Sequence, residues 1–193
     1  MNPLPAPFDL LPESASKSCE LKKKDEIFYQ GEHVSHLFYL VFGEVTLSRY
    51  GLAGNEVIIH QARPRETFAE AALFSEVYHC DAIATQDTLL WKINKATTLA
   101  FTKENPVFAM ALTARFARQI QQLRSQKELL AVRSAMERVY LALKQGLLNS
   151  NIKQFANAIG LTHEATYRAL AALVKENRVV KNGRGSYSVL SNK

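Results

Sequence analysis

The stretch Asn151 to Arg168, NIKQFANAIGLTHEATYR, constrains the fold of the last third of the chain more than any other segment. Phe155, Ala156 and Ile159 recur at helical spacing, Gly160 breaks that helix, and Thr162 is placed to cap a second one. Along the second helix Thr166, Leu170, Leu173 and Val174 share one face. His163, Glu164, Tyr167, Arg168, Ala171 and Lys175 share another, which is polar, hydrogen-bonding and basic. A major-groove helix presents a surface of that kind. An ordinary helix pair with a solvated outer face fits the same pattern.

Charge separates the two readings. Residues 131–193 hold ten Lys/Arg against three Glu, a net +7 in a chain whose total is +6, so residues 1–130 are close to neutral. Such asymmetry points to a polyanion as the partner of the basic end, with steeply salt-dependent binding. Lys153, Lys181 and Arg184 lie near the helix pair in sequence and join the candidate phosphate contacts. Beyond it, Arg178–Leu190 contains two short strand-like runs around Asn182-Gly183-Arg184-Gly185, the pattern of a hairpin wing.

From Leu21 to about Lys92 short β-rich runs alternate with turns: Glu26–Tyr29, Leu37–Val41, Glu44–Ser48, Val57–His60 and Leu89–Ile93. Gln30-Gly31, Phe42-Gly43 and Gly51–Asn55 separate them, which argues for an antiparallel sandwich or roll. From Ala96 to about Lys144 the pattern turns helical, with a break at Asn105-Pro106. In that region Ala109, Leu112, Phe116, Gln119, Leu123, Gln126 and Leu130 repeat at alternating three and four spacing, a coiled-coil seam widened by Ile120. Leu112, Phe116, Gln119, Leu123 and Leu130 are therefore the expected dimer contacts. The glutamines on the seam favour a second copy over a monomer core.

The prolines of MNPLPAPFDLLPE suggest an extended lead-in, and nothing there has the form of a signal peptide. No apolar run reaches the eighteen or so residues of a membrane span. Cys19 and Cys80 are too few for a disulfide framework and fit a reduced, cytoplasmic protein. No Gly-rich phosphate loop, zinc spacing or Gly-x-Ser-x-Gly motif supports an enzyme. His33 and His36 lack an acidic or thiol companion and read as surface histidines.

The order of roll, long helix and winged helix-turn-helix resembles the Crp/Fnr family of bacterial transcription factors (cyclic-AMP receptor protein and fumarate–nitrate reduction regulator), from about Leu21 to Leu190. The resemblance rests on Gln30-Gly31, Phe42-Gly43-Glu44-Val45, Ala69-Glu70-Ala71-Ala72-Leu73-Phe74, Asn105-Pro106 and Gly160 to Arg168 taken together. It implies an α+β chain: an N-terminal antiparallel β-roll like a cyclic-nucleotide-binding jelly roll with a flanking helix over 1–103, a dimerisation helix over 104–131, and a winged helix-turn-helix over 132–193. It also implies a homodimer on a palindromic double-stranded DNA site and contact with RNA polymerase, without membrane attachment. Thr162, His163, Glu164, Tyr167, Arg168, Lys153, Lys181 and Arg184 become the expected DNA contacts. The family's recognition helix usually reads arginine, glutamate, then arginine four residues after the glutamate. Here His163 replaces the first arginine, which puts the outer base of the half-site in doubt. The short Gln145–Ile152 connection leaves no room for a hairpin that relatives often carry, so a wing sheet of two or three strands is expected.

The expected effector pocket, Glu70, Cys80, Asp81, Leu123 and Arg124, departs from the cyclic-nucleotide type. Ala69-Glu70 keeps the ribose-binding carboxylate, but Cys80-Asp81 stands where the family places an arginine-serine pair. A charge-assisted phosphate bond of about 1.5–3 kcal/mol is lost. A carboxylate about 4 Å from the phosphate would add repulsion of order 4 kcal/mol at an effective dielectric near 20. Leu123-Arg124 also replaces a small hydroxyl pair that meets adenine. Cyclic AMP is therefore not the expected effector. Asp81 is expected to pair with Arg124, Arg63 or Arg65, leaving a self-filled pocket or one for another small molecule. Haem is the cofactor to weigh, although adjacent His79 and Cys80 would point to opposite faces of a strand, so at most one could ligate an iron. The rival reading is a ligand-sensing protein of the same fold whose DNA binding requires a small molecule or haem.

Overall fold

Alternating burial in the N-terminal half sets two antiparallel sheets face to face. In the computed structural model, residues 4–51, 54–148 and 151–190 are described; parts of the Gly51–Asn55 turn and of the Gln145–Ile152 connection lie outside them. The strands are β1 (Ser16–Leu21), β2 (Glu26–Phe28), β3 (His36–Phe42), β4 (Val45–Tyr50), β5 (Glu56–Ala62), β6 (Thr67–Phe68), β7 (Asp81–Ala84) and β8 (Thr88–Asn94). One sheet runs β1-β8-β3-β6 and the other β2-β7-β4-β5. Cross-strand pairs Leu40–Leu90 in the first and Leu47–Ala82 in the second bring apolar side chains together. The core between them holds Phe28, Phe38, Leu40, Val45, Phe68, Tyr78 and Leu90, each at most 3% exposed. Its aromatic rings are stacked: Phe28 on Tyr78 at 3.8 Å, Phe28 on Phe38 at 5.5 Å and Phe38 on Phe68 at 5.0 Å. Each such ring contributes roughly 1.5–3 kcal/mol by leaving water.

The β4–β5 pair and the runs around β2, β3 and β8 follow the sequence pattern; β6 and β7 are strands it did not mark, and three further expectations are corrected. The proline-rich start is no extended lead-in: it forms two 3-10 turns, Phe8–Leu10 and Glu13–Ala15, that bury Leu4, Phe8, Leu11 and Ala15. Phe8 meets Phe108 edge-on, and Phe108 meets Phe101. Second, β1 adds a strand ahead of Leu21, its polar Ser-Lys-Ser opening masking the alternation. Third, His36 is not a surface histidine of a polar turn; it opens β3, half-buried, and burial holds its ring below the usual histidine range, with Lys92 acting in the same direction.

The helices begin where a side chain receives otherwise unpaired N–H groups. Asn94 caps α1 (Lys95–Glu104) by accepting from Thr97 N at 2.8 Å. Asn105 accepts from Phe108 N at 3.0 Å ahead of α2 (Pro106–Ala131), with Pro106 in the first turn. The helical region breaks again at Val132–Ser134, because Ser134 caps α3 (Ala135–Lys144) and accepts from Glu137 N at 3.3 Å. The chain forms two compact units, residues 1–114 and 115–193. In the second, α4 (Ile152–Ala158), α5 (His163–Lys175) and the hairpin β9 (Val179–Gly183) and β10 (Ser186–Val189) close with α3 over Val139, Phe155, Ile159, Leu170, Leu173 and Val179.

On α2 the expected seam divides. Leu112 is 2% exposed in the single chain and is corrected from a dimer contact to a core residue, since helical spacing cannot tell an intramolecular partner from a second copy. Phe116 and Gln119 are half-buried, whereas Ile120, Leu123 and Leu130 are exposed.

Candidate nucleic-acid interface and effector pocket

The turn between α4 and α5 is built by two residues. Gly160, at φ +62°, ends α4, and Leu161 N donates to Ala156 O at 3.0 Å. Thr162 then accepts from Ala165 N at 3.1 Å and opens α5. Thr166 is fully buried and its hydroxyl donates to Thr162 O at 3.0 Å, and with Ala169, Leu170 and Leu173 it fixes which side of α5 faces the core. Consequently His163, Glu164, Tyr167, Arg168, Ala171 and Lys175 all lie on the exposed side. Val174, half-buried, packs against the core edge. The His163 and Tyr167 rings meet edge-on at 4.7 Å and 89°. Tyr187 on β10 sits close enough to Tyr167 that burial first, then that neighbouring phenol, raise its ionisation above the usual tyrosine range.

Lys153 on α4, Lys181 on β9 and Arg184 in the hairpin turn are exposed, and Asn182 Nδ2 donates to Ser188 Oγ across the hairpin at 3.0 Å. Two arginines of the basic count serve the fold instead. Arg138 donates from Nε and Nη2 to Val132 O at 2.9 and 2.6 Å. From Nη1 it reaches Ile159 O at 3.1 Å and Gly160 O at 3.3 Å. It thereby joins the end of α2 to the turn before α5. Arg178 grips the Glu137 carboxylate with both Nη atoms and lies 4.0 Å over the Tyr140 ring, and this grip holds the Glu137 carboxyl below the usual range. A residue count carries no direction; these contacts became visible only with the fold.

In the roll, the segment expected to form the effector pocket is a 3-10 turn, Glu70–Phe74, entered through Ala69 at φ +63°. Left-handed backbone at a residue with a Cβ costs of order 1 kcal/mol. The Thr67 hydroxyl donates to Glu70 Oε1. Cys80 is half-buried against the aromatic core, and burial raises its thiol above the usual range while Arg49 opposes that rise. Arg49, on β4, donates from Nε to His79 O at 2.8 Å. Asp81 does not pair with Arg63 or Arg65: its Oδ1 accepts from Gln30 N at 2.7 Å, a backbone donor that sequence distance concealed. His79 Nε2 lies 3.0 Å from Ser75 Oγ. Leu123 and Arg124 are exposed on α2. Among the described residues no group of three His, Cys, Asp or Glu side chains is placed to hold a metal ion, and no helix is long and apolar enough to cross a membrane.

Comparison with known proteins agrees with this architecture. Residues 18–105 match the cyclic nucleotide-binding domain family. The chain is 32% identical over 171 residues to the cyclic AMP receptor protein of Thermus thermophilus, spanning 84% of this chain and 79% of that one. Among solved structures, the Thermus thermophilus catabolite activator protein is 30% identical, with 92% of this chain and 86% of that chain covered and a TM-score of 0.52. The transcriptional regulator DNR of Pseudomonas aeruginosa is 25% identical over 95% of this chain and 89% of its own, at a TM-score of 0.56. With a cyclic-nucleotide-binding fold at one end, a capped helix pair and hairpin at the other, and relatives of this kind along most of its length, the chain belongs to the Crp/Fnr family of transcription regulators.

Proposed function

We propose that the chain is a homodimeric, sequence-specific DNA-binding regulator that reads a twofold-symmetric site through Glu164 and Arg168. The observation that carries this reading is the orientation of α5. Thr166, Ala169, Leu170 and Leu173 are buried, so the Glu164 and Arg168 side chains stand together on the exposed face near the helix N-terminus. Arg168 can donate twice to guanine O6 and N7 while Glu164 accepts from cytosine N4, each contact worth about 1–3 kcal/mol of base discrimination. Lys153, Lys181 and Arg184 supply phosphate contacts that position the helix without specifying sequence. Ile120, Leu123 and Leu130, exposed on α2, supply the apolar seam for a second copy, and twofold pairing sets two α5 helices about one DNA turn apart.

The roll is a sensor domain whose input is not cyclic AMP. Cys80 cannot supply the missing guanidinium bond, and the Asp81 carboxylate beside it is anchored to Gln30 N. His79 is engaged by Ser75, and the Cys80 thiol is held protonated by burial, an arrangement that does not favour haem ligation. A ligand-gated version of the same function draws support from Arg49, which brings a different guanidinium beside Cys80 and leaves its Nη atoms for an anion of another shape.

Selection from a random duplex pool by purified protein without added effector tests the proposal. A twofold-symmetric motif with a G·C pair that Arg168→Ala erases supports it. Weak, motif-free binding that an added anion converts to a motif supports the gated version, and motif-free binding under all conditions refutes both. Millimolar cyclic AMP is expected to leave the melting temperature unchanged.

A further inference from the structure

The exposed face of α5 carries a feature that a phosphate-binding or simple solvated face does not need. Tyr167 is 43% exposed, lies one turn after His163 and directly precedes Arg168, so its ring stands in the row of side chains that point away from the core. Its partner ring is His163, edge-on at 4.7 Å. The contact fixes the orientation of two side chains that would otherwise sample several rotamers, so less freedom is lost when a base edge arrives. The two rings on α5 are not needed to hold that helix in place, because it is already capped by Thr162 and anchored by Thr166, Leu170 and Leu173.

Two chemical properties of the pair decide what it can recognise. A ring edge or face in the major groove is apolar and makes its best contact with the 5-methyl group of thymine, the one apolar group displayed there. The His163 ring is too short to make the paired donation that a guanidinium makes to guanine.

We propose that the His163–Tyr167 ring pair is a specificity element that selects thymine, through its 5-methyl group, at the base pair next to the one read by Glu164 and Arg168, on the side of the α5 N-terminus. This rests on the DNA-binding reading above and assigns it one more base. The pair reads as a unit: Tyr167 supplies the apolar surface and His163 holds it in place, while Glu164 and Arg168 keep their own G·C pair.

The test uses the full-length chain and the site obtained by selection. Wild-type protein should enrich T·A at that neighbouring position. Replacing that thymine by uracil, which removes only the methyl group, should weaken wild-type binding by about tenfold. Tyr167→Phe should keep both the preference and the sensitivity to uracil. Tyr167→Ser and His163→Ala should lose both while still requiring the G·C pair read by Arg168, with an unchanged melting profile showing that α5 is intact. Indifference of the wild type to uracil overturns the proposal, as does a Tyr167→Ser protein whose motif is unaltered or whose binding falls equally for all sequences. Absence of any motif with wild-type protein refutes the DNA-reading function itself, a result distinct from a motif that ignores Tyr167.

Discussion

Replacing Arg138 by alanine removes one guanidinium from between the end of α2 and the turn that leads into α5. Val132 O loses two donors, at 2.9 and 2.6 Å, and Ile159 O loses one at 3.1 Å. The bond to Gly160 O is longer, at 3.3 Å, and Gly160 is exposed, so water replaces it at little cost. Hydrogen bonds to a charged group contribute about 1.5–3 kcal/mol each when desolvated. Arg138 is half-buried, so the lower value applies to the Val132 pair taken together and to Ile159, giving a loss of about 3 kcal/mol. For a unit of this size that corresponds to a fall in melting temperature of roughly 10–20 °C. The assay is thermal unfolding of the full chain followed by two probes. Helical circular dichroism should show the C-terminal transition moving down, while fluorescence of the single tryptophan, Trp91 on β8, should report a roll that moves much less. Arg138→Lys should recover only part of the loss, because an ammonium cannot span both carbonyl groups. A change under about 0.5 kcal/mol for Arg138→Ala, the usual size for an inert surface site, would refute the reasoning. So would a drop of about one in the salt dependence of DNA binding, which is the signature of a lost phosphate contact.

Three other outcomes are expected. Arg168→Ala should abolish sequence preference, whereas Lys181→Ala should weaken binding to every duplex about equally and lower the slope of log K against log salt by about one, both readable by fluorescence anisotropy. Gly43→Ala should prevent stable folding of the roll, since at φ +93° the added Cβ would lie 2.4 Å from Thr88 Oγ1 and 2.5 Å from Asp87 O. Gly31→Ala, at φ +85° with open space around it, should cost only about 1 kcal/mol by urea titration. Cys80 should react slowly with a thiol reagent at pH 8 and speed up only as the pH passes above the usual cysteine range, because burial raises its pKa and depletes the thiolate; a rate matching an unfolded control at pH 8 would contradict the packing of Cys80 on the core.

The parts of the molecule that announced themselves in the sequence are those set by short-range chemistry. Gly160 and Thr162 mark an end and a start two residues apart, and the structure places the end of α4 and the cap of α5 there. The Asn182–Gly185 turn and the Asn105-Pro106 break work in the same way. The break before α3 was equally readable, through the Ser134–Glu137 capping pair, but the helical periodicity on either side of it hid the signal. What stayed hidden depends on distant partners. Phe8 is core because Phe108 lies against it, Asp81 is satisfied by a backbone donor fifty-one residues away, and Arg138 and Arg178 are bound inside the protein although they count as two of its ten C-terminal cations. The proposed DNA contacts on α5 belonged to the first class because that helix turns by a fixed amount per residue. The surroundings of Asp81 belonged to the second because segments from different parts of the chain meet there.

The edge of the β2-β7-β4-β5 sheet has a practical consequence. β5 ends that sheet, so among the described residues one side of its backbone has no strand to bond, and Val57, Ile58 and Ile59 in succession are each about half exposed in the single chain. An edge with apolar groups on both faces is a template for adding strands from other molecules. The isolated roll is expected to enter inclusion bodies or elute as a broad high-mass species. A lysine in place of Ile58 is the change that should keep it in solution, since a charge on an edge strand discourages stacking without touching the aromatic interior.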